Sequence, residues 1–145
     1  MTFQNPDDDV LRRIFRTTTN IAVVGLSPRP NRPSHGVARA LQRFGYHIIP
    51  VRPAIKEVLG EPAYASLEEV PLTIDLVNVF RAPAYVDEIV DSCIALGVSV
   101  LWLQDGVINE AAAQRASDAG ITVVMNRCTY RDYVRLFTGR SHKDG

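Results

Sequence analysis

The feature that most constrains the fold is a repeated alternation of short apolar runs with segments of helical spacing. The first run, N-I-A-V-V-G at residues 20–25, is rich in β-branched side chains and ends at glycine, which is typical of a strand buried on both faces. Similar runs recur at residues 46–51, 74–80, 98–103 and 121–125. Strands separated by helices predict an α/β fold, a Rossmann-like three-layer sandwich with a mainly parallel five-stranded sheet.

Capping residues stand at the predicted helix starts. Ser34 is predicted to cap the helix after the first run, and Ser66 begins S-L-E-E, the spelling of a capping box, before one short helical turn. Further helices are predicted to begin near Asp7, Pro83, Asn109 and Thr129. Pro50 would remove a ladder hydrogen bond from the second run, so that strand is expected to end there or to lie at an edge of the sheet.

Length and charge exclude several classes of protein. A chain of 145 residues predicts one domain over residues 1–145, with its core at about residues 7–137. Sixteen basic residues balance sixteen acidic ones, so no overall field attracts nucleic acid or an anionic membrane. The sequence has no apolar signal-peptide core and no run of ~20 apolar residues, and its two cysteines form no metal pattern. We therefore expect a cytoplasmic protein that binds neither nucleic acid nor a membrane.

The loop after the first strand is the first candidate for ligand binding, because ligands of parallel sheets bind beyond the carboxyl ends of the strands. Its sequence, G-L-S-P-R-P-N-R-P-S, lacks the G-x-G-x-x-G spacing of dinucleotide-binding proteins. It offers Ser27, Arg29, Arg32 and Ser34 beside a helix N-terminus, where free N–H groups attract an anion. We interpret it as a phosphate-binding loop; a proline-stiffened turn with solvated arginines is the alternative.

Cationic and aromatic residues follow the next two strands. Arg52 and Pro53 come after the second strand, where an NAD site has an acidic residue. A guanidinium there favours a ribose phosphate, either that of NADP or the 3′-phosphate of coenzyme A, and a solvated arginine is the alternative. Phe80, Arg81 and Pro83 follow the third strand and predict a flat shelf beside another cation, unless Phe80 belongs to the core.

The last two strands end in a mixture of polar groups. Gln104 follows the fourth strand as a neutral donor and acceptor, while Trp102 is expected in the core of the sheet. Asp105 is able to cap a helix, repel a phosphate or contact a ribose, and these roles stay open. Arg127 and Cys128 follow the fifth strand and add a cation and a thiol to the same rim.

The titratable residues do not form a recognisable catalytic set. His35, His47 and His142 are scattered, without the spacing of a zinc site or of a triad. Cys128 lies near a helix start, but the sequence assigns it no base. These residues indicate a binding protein rather than an enzyme.

Seven ordered blocks of sequence span nearly the whole chain. They are I-A-V-V-G-L-S at residues 21–27, R-P-S at 32–34, G-Y-H-I-I-P-V-R-P at 45–53, L-G-E-P-A-Y-A-S-L at 59–67, D-L-V-N-V-F-R at 75–81, W-L-Q-D-G-V at 102–107 and V-V-M-N-R-C at 123–128. Together they resemble the small bacterial coenzyme A-binding proteins, whose domain is similar to the coenzyme A-binding domain of the succinyl-CoA synthetase α subunit.

The resemblance implies which residues hold the ligand. Residues 25–34 would cradle phosphates, residues 51–53 would hold the nucleotide end, and residues 80–83 and 103–104 would flank the remainder. The positions predicted in this way are Gly25, Leu26, Ser27, Arg29, Arg32, Pro33, Ser34, Val51, Arg52, Pro53, Phe80, Arg81, Pro83, Leu103 and Gln104. Arg52 stands where the family is expected to have asparagine and should strengthen phosphate binding, and Asn126 stands where aspartate is usual.

The expected function is binding of coenzyme A or an acyl-CoA without catalysis by the chain itself. The resemblance implies this because the synthetase performs its chemistry with a phosphorylated histidine in a second domain. The alternative is an enzyme, either an NADP-binding reductase or a small CoA-transfer protein that uses Cys128. Balanced charge and the lack of a helix-turn-helix segment argue against a redox-sensing partner of nucleic acid. The sequence indicates no particular protein partner.

Overall fold

Helices and strands alternate along residues 3–144, the part of the chain that this computed structural model describes. The helices are α1 (Asp8–Thr17), α2 (Pro33–Arg43), α3 (Val86–Leu96), α4 (Glu110–Asp118) and α5 (Thr129–Leu136). The strands are β1 (Asn20–Val24), β2 (His47–Val51), β3 (Glu57–Val58), β4 (Glu61–Pro62), β5 (Leu76–Val79), β6 (Val100–Leu103) and β7 (Thr122–Met125). Short 3-10 turns occupy Leu67–Glu69 and Pro83–Tyr85. Within residues 3–144, no helix has both the length and the apolar character that a membrane crossing requires.

The main sheet has five parallel strands in the order β2-β1-β5-β6-β7. This arrangement confirms the predicted α/β class with a parallel five-stranded sheet. Pro50 pairs with Val23 in β2, which lies at an edge, so one of the two outcomes predicted for that strand is confirmed. The chain passes from β1 outward to β2 and then returns to β5 on the other side of β1. The carboxyl ends of β1 and β5 therefore flank the switch point at which ligands of open α/β sheets bind.

Alternate residues of each strand face two separate layers of helices. Ile21 and Val23 pack in the cluster that contains the buried side chains of α1, α2 and α5, while Ala22 and Val24 face those of α3 and α4. Trp102 is fully buried in the first cluster and donates from Nε1 to the carbonyl of Arg127 at 2.8 Å, so its predicted place in the core is confirmed. Each fully buried leucine or aromatic ring of these clusters contributes about 1.5–3 kcal/mol to folding.

One of the predicted caps, Asn109, is present, and two are not. The side chain of Asn109 accepts a hydrogen bond from the N–H of Ala112 at 3.0 Å. Asp7 caps α1 in the same way, by accepting from the N–H of Val10 at 3.0 Å, although the sequence predicted only that a helix begins near it. The prediction for Ser34 was wrong, because α2 already begins at Pro33 with Arg32 as its N-cap. The hydroxyl of Ser34 is drawn away to accept a hydrogen bond from the Ser27 N–H at 2.9 Å.

The predicted capping box at Ser66 was also wrong. A short 3-10 turn does begin after Ser66, but this serine makes no side-chain cap hydrogen bond. Glu69 accepts instead from the N–H of Ala65 at 3.1 Å. A turn of three residues has too few free N–H groups at the right spacing for the reciprocal pair of bonds that a capping box needs.

A small hairpin and the segment after it cover the outer edge of β2. Strands β3 and β4 pair in antiparallel register over two residues each, a feature that the sequence did not predict. The N–H of Tyr64 then donates to Pro50 at 3.0 Å, and the N–H of Arg52 donates to the carbonyl of Tyr64 at 2.8 Å. The edge strand is thus partly closed, and the backbone of Arg52 is fixed directly after β2.

Candidate functional site

A cavity of about 1010 Å³ lies at the carboxyl ends of the strands, over the switch point. Most of the residues predicted to contact a ligand line it: Gly25, Ser27, Arg29, Arg32, Pro33, Ser34, Arg52, Phe80, Arg81, Pro83 and Gln104. Its other lining residues are Pro28, Val37, Ala82, Asp105, Gly106, Val107, Cys128 and Arg131. Residues distant in sequence are brought together because all parallel strands end at the same edge of the sheet.

Four predicted residues do not line this cavity. Leu26, Val51 and Leu103 are buried, with their side chains packed in the two apolar clusters. Pro53 is exposed and lies outside the cavity wall. Their family blocks are continuous in sequence, but alternate side chains of an extended segment point in opposite directions, so only some members of each block reach the cavity.

Gly25 forms the junction between β1 and the cavity. Its φ angle is +86°, and its N–H donates to the carbonyl of Val51 at 2.9 Å. A Cβ atom at this position would lie 2.6 Å from the main-chain oxygen of Phe80. Both the left-handed backbone and the close approach of the β5 loop therefore require glycine here.

The loop from Gly25 to α2 is braced by its own polar side chains. The Oγ atom of Ser34 accepts from the Ser27 N–H at 2.9 Å, and the Oγ atom of Ser27 accepts from the Arg29 N–H at 3.1 Å. The Nδ1 atom of buried His35 lies 3.0 Å from the carbonyl oxygen of Ser27. The two serines and His35 thus hold the shape of the loop, while the arginine side chains stay exposed.

Four arginines of the cavity wall have no carboxylate partner. Among residues 3–144, no carboxylate oxygen lies within 4.0 Å of the guanidinium nitrogens of Arg29, Arg32, Arg52 or Arg81. They follow β1, β2 and β5, and we call this part of the wall the cationic end. Since their charges are not neutralised by neighbouring side chains, this end carries a local positive potential although the whole chain has no net charge.

The opposite part of the wall, formed after β6 and β7, has its charge neutralised. Arg131 donates to both carboxylate oxygens of Asp105, at 2.6 and 2.8 Å. This pairing lowers the pKa of Asp105 below its ordinary value of 3.8. We call this part of the wall, comprising Gln104, Asp105, Gly106, Val107, Cys128 and Arg131, the neutral end.

A hydrogen bond from Gly106 to Asn126 fixes the loops of the neutral end. Asn126 has a φ angle of +60°, and its side-chain oxygen accepts from the Gly106 N–H at 2.8 Å. Asparagine is among the few residues that tolerate this backbone conformation.

Arg127 was predicted to face the rim as a cation, and that prediction was wrong. Its guanidinium makes two hydrogen bonds of 2.7 Å to the buried carboxylate of Asp132 and does not line the cavity.

Gln104 joins the cavity to a buried polar network. Its Nε2 atom donates to Asn78 at 2.7 Å and to the hydroxyl of Thr129 at 2.9 Å. All three side chains are buried, so each needs these partners to offset its loss of water. Both amide hydrogens of Gln104 are thereby engaged, which leaves its side-chain oxygen as the group able to accept from a ligand.

Arg131 is the charged lining residue that the sequence analysis missed. It lies in the first turn of α5, three residues after Cys128, which is itself buried and lines the same wall. The i,i+3 spacing places both residues on one side of the helix start. That spacing was the available signal, because residues one helical turn beyond a strand end are able to face the same cavity as those directly after the strand.

A comparison with protein families confirms the predicted resemblance. The sequence profile described as CoA binding domain matches residues 19–133. A Bacillus subtilis (strain 168) protein described as uncharacterized protein YneT is 43% identical over 125 residues, which cover 86% of this chain and 93% of that protein.

Solved structures share the fold. A hypothetical protein from Pyrococcus horikoshii OT3 is 36% identical, with a TM-score of 0.87 over 94% of this chain and 99% of the other. The dinucleotide forming acetyl-coenzyme A synthetase 1 of Ca. Korarchaeum cryptofilum is 25% identical, with a TM-score of 0.69. That match covers 80% of this chain but only 28% of the synthetase, so the present fold corresponds to one part of a larger enzyme.

Proposed function

The chain belongs to the CoA binding domain family, and on this premise we propose that it binds coenzyme A or an acyl-CoA in the cavity at its strand ends. The observation that carries the proposal is the set of four arginines without carboxylate partners at the cationic end. Coenzyme A has a diphosphate and a 3′-phosphate, and charge-assisted hydrogen bonds from guanidinium groups to phosphates are about twice as strong as hydrogen bonds between neutral groups.

The diphosphate is assigned to the loop between β1 and α2. Arg29 and Arg32 project from this loop, and the first turn of α2 contains no acidic residue to repel an anion. The N-terminus of α2 adds backbone N–H groups and the positive end of its dipole. Because the loop is braced by Ser27, Ser34 and His35, little conformational freedom is lost when a phosphate binds.

The 3′-phosphate is assigned to Arg52. The backbone of this residue is anchored to Tyr64, and its half-buried side chain lines the cavity directly after β2. The same geometry suits the 2′-phosphate of NADP, which makes an NADP-binding reductase the second candidate. The missing glycine fingerprint in the β1–α2 loop favours coenzyme A over that alternative.

The pantetheine arm and any acyl group are assigned to the neutral end. This part of the wall offers the acceptor oxygen of Gln104 and the apolar side chain of Val107, and its arginine is already paired with Asp105. An uncharged arm with amide groups fits such a surface better than a phosphate does. The synthetase with a similar fold is by its name an enzyme of acetyl-coenzyme A, which supports the same ligand class.

Calorimetric titration with coenzyme A, dephospho-coenzyme A, NADP and NAD tests the proposal. Coenzyme A should bind most tightly, and dephospho-coenzyme A should bind less tightly by about 1.5–3 kcal/mol because a charge-assisted hydrogen bond is lost. In the Arg52→Ala variant the difference between these two ligands should disappear. Tighter binding of NADP than of coenzyme A would overturn the proposal in favour of the reductase.

The chain is also proposed to act as a binder without catalysis of its own. Cys128 lies in the cavity wall, but the polar groups of the neutral end include no base paired with it. Assays of acyl-CoA hydrolysis, CoA transfer and NADPH oxidation should therefore show no turnover. Turnover that is abolished by Cys128→Ala would instead establish the CoA-transfer alternative.

A further inference from the structure

Arg81, which lines the cavity, packs against an aromatic ring. Its guanidinium carbon lies 4.0 Å from the centroid of the Tyr85 ring. The side chain is half-buried, and it has no carboxylate within 4.0 Å in the described residues 3–144. A guanidinium over a ring face at this distance is attracted by the negative face of the π-system.

The stem of Arg81 is guided by the missing side chain of Gly25. The Cδ atom of Arg81 lies 3.0 Å from the point where a Cβ at position 25 would stand. The arginine therefore crosses above the end of β1 before it reaches the tyrosine ring. A larger residue at position 25 would crowd this part of the Arg81 side chain as well as strain the backbone.

The Tyr85 ring stands on a braced turn. Tyr85 ends the 3-10 turn Pro83–Tyr85, and its N–H donates to Ala82 at 3.0 Å. The side chain of Asn109 donates to the carbonyl of Pro83 at 3.2 Å, and the next residue, Val86, is fully buried. The ring is thus attached to a fixed part of the backbone although 43% of Tyr85 is exposed.

An aromatic partner differs from a carboxylate in one respect that matters for binding. A carboxylate, such as the one that Arg131 contacts, neutralises the guanidinium charge and occupies its N–H groups. A ring face orients the guanidinium but leaves its net charge and its in-plane N–H donors available. Tyr85 is therefore able to fix Arg81 without removing it from the cationic end.

We propose that Tyr85 is a positioning residue for the ligand site, which orients Arg81 toward a phosphate of the bound nucleotide. This inference rests on the proposed function. It assigns an effect on affinity to a residue that does not line the cavity. Without the ring, the Arg81 side chain should be mobile in the unliganded protein. Ordering it when the ligand binds would then cost conformational entropy and weaken the affinity.

The test is calorimetric titration of coenzyme A into a set of variants. Tyr85→Leu should weaken binding about two- to fivefold, the range of an exposed cation–π contact, and Tyr85→Phe should restore the wild-type affinity. Tyr130→Leu is the matched control, because Tyr130 is 42% exposed but stacks on Phe44 rather than on an arginine. This control should bind coenzyme A with the wild-type affinity. In all variants the melting temperature should stay within a few degrees of the wild type, because such surface substitutions change the free energy of unfolding by no more than about 0.5 kcal/mol.

A second arm separates positioning from direct contact. In an Arg81→Ala background, Tyr85→Leu should have no further effect on affinity. An equal loss in both backgrounds, or wild-type affinity in the Tyr85→Leu single variant, would overturn the inference. Upfield NMR shifts of the Arg81 δ-methylene protons, present in wild type and Tyr85→Phe but absent in Tyr85→Leu, report the contact without a ligand. If the wild type fails to bind coenzyme A while these shifts are present, the proposed function fails and the Tyr85–Arg81 contact stands.

Discussion

The two ends of the cavity use the same residue type in opposite ways. At the cationic end, Arg29, Arg32 and Arg52 face the cavity without a carboxylate in reach, whereas Arg131 at the neutral end is paired with Asp105. Arg127, a few residues before Arg131, is turned fully away to Asp132. The pairing of each arginine, rather than its presence at the rim, therefore decides which end attracts an anion.

The comparison also separates binding from stability. An exposed ion pair such as Arg131–Asp105 contributes at most about 1 kcal/mol to folding, but it removes a full charge from the cavity. An unpaired arginine contributes little to folding and keeps its charge for a ligand. Substitutions of the unpaired arginines at the cationic end should consequently change affinity, whereas substitutions that break an arginine–carboxylate pair should change stability.

The largest effect is expected from Gly25→Ala, which tests whether the two ends are equally tolerant of backbone change. The new methyl group would meet the Phe80 oxygen at 2.6 Å with the backbone at positive φ, so the free energy of unfolding should fall by about 3 kcal/mol or more. Gly106→Ala at the neutral end is the matched control, since its φ is +80° and no atom lies within 4 Å of the new Cβ. It should cost about 1–2 kcal/mol. Urea denaturation measures both, and equal losses would contradict the comparison.

Arg32→Ala should weaken coenzyme A binding by about 1.5–3 kcal/mol while leaving the melting temperature nearly unchanged. Only the backbone of Arg32 serves as the N-cap of α2, and its side chain is exposed. Arg131→Ala, at the neutral end, should leave the affinity within about a factor of two. Titrations at two salt concentrations check this, because added salt should weaken the wild type more than Arg32→Ala. The assignment of charge to one end fails if both variants lose affinity equally.

A smaller effect on stability is expected from Arg127→Ala. It leaves Asp132, whose side chain is 6% exposed, with the guanidinium of Arg135 at 3.2 Å as its remaining charged partner. The free energy of unfolding should fall by about 1–2 kcal/mol because a buried carboxylate loses two charge-assisted hydrogen bonds. Arg52→Ala at the cationic end should change it by less than about 0.5 kcal/mol. Chemical denaturation of both variants decides the point, and the reverse order would refute it.

The smallest effect concerns the response of Asp105 to acid. Arg131 lowers the pKa of Asp105, so the pair stabilises the folded state above the ordinary value of 3.8 and this contribution is lost as the pH falls through the folded-state pKa. Asp105→Asn should therefore lower stability at pH 7 by less than about 1 kcal/mol, since the pair is exposed. The difference between wild type and variant should shrink below pH 4, as followed by thermal melts. A difference that stays constant down to pH 2 would show that the carboxylate charge does not stabilise the fold.

The sequence predicted the sheet and its layers because these depend on local signals. Apolar runs marked all five long strands, and the structure shortened them by one to three residues while keeping their order along the chain. Asn109 was identified as a cap because this signal is local: its side chain bonds to an N–H only three residues ahead. Most residues of the cavity wall were also predicted, because residues that directly follow parallel strands lie together at one edge of the sheet.

Tertiary structure alone decided which side chains are free to bind. Ser34 reads as a helix cap in isolation, but the Ser27 N–H competes for its hydroxyl once the loop folds back. Asp105 is 26 residues from Arg131 in sequence, and no local pattern indicates that they meet. The apolar pattern of a strand depends only on residues that are adjacent in sequence, so it can be recognised before the fold is known. The partner of an arginine depends instead on which distant loops the fold brings within hydrogen-bond distance. The sequence therefore predicted which residues gather at the edge of the sheet that bears the cavity, and the packing of those loops determined which end of the cavity carries the charge.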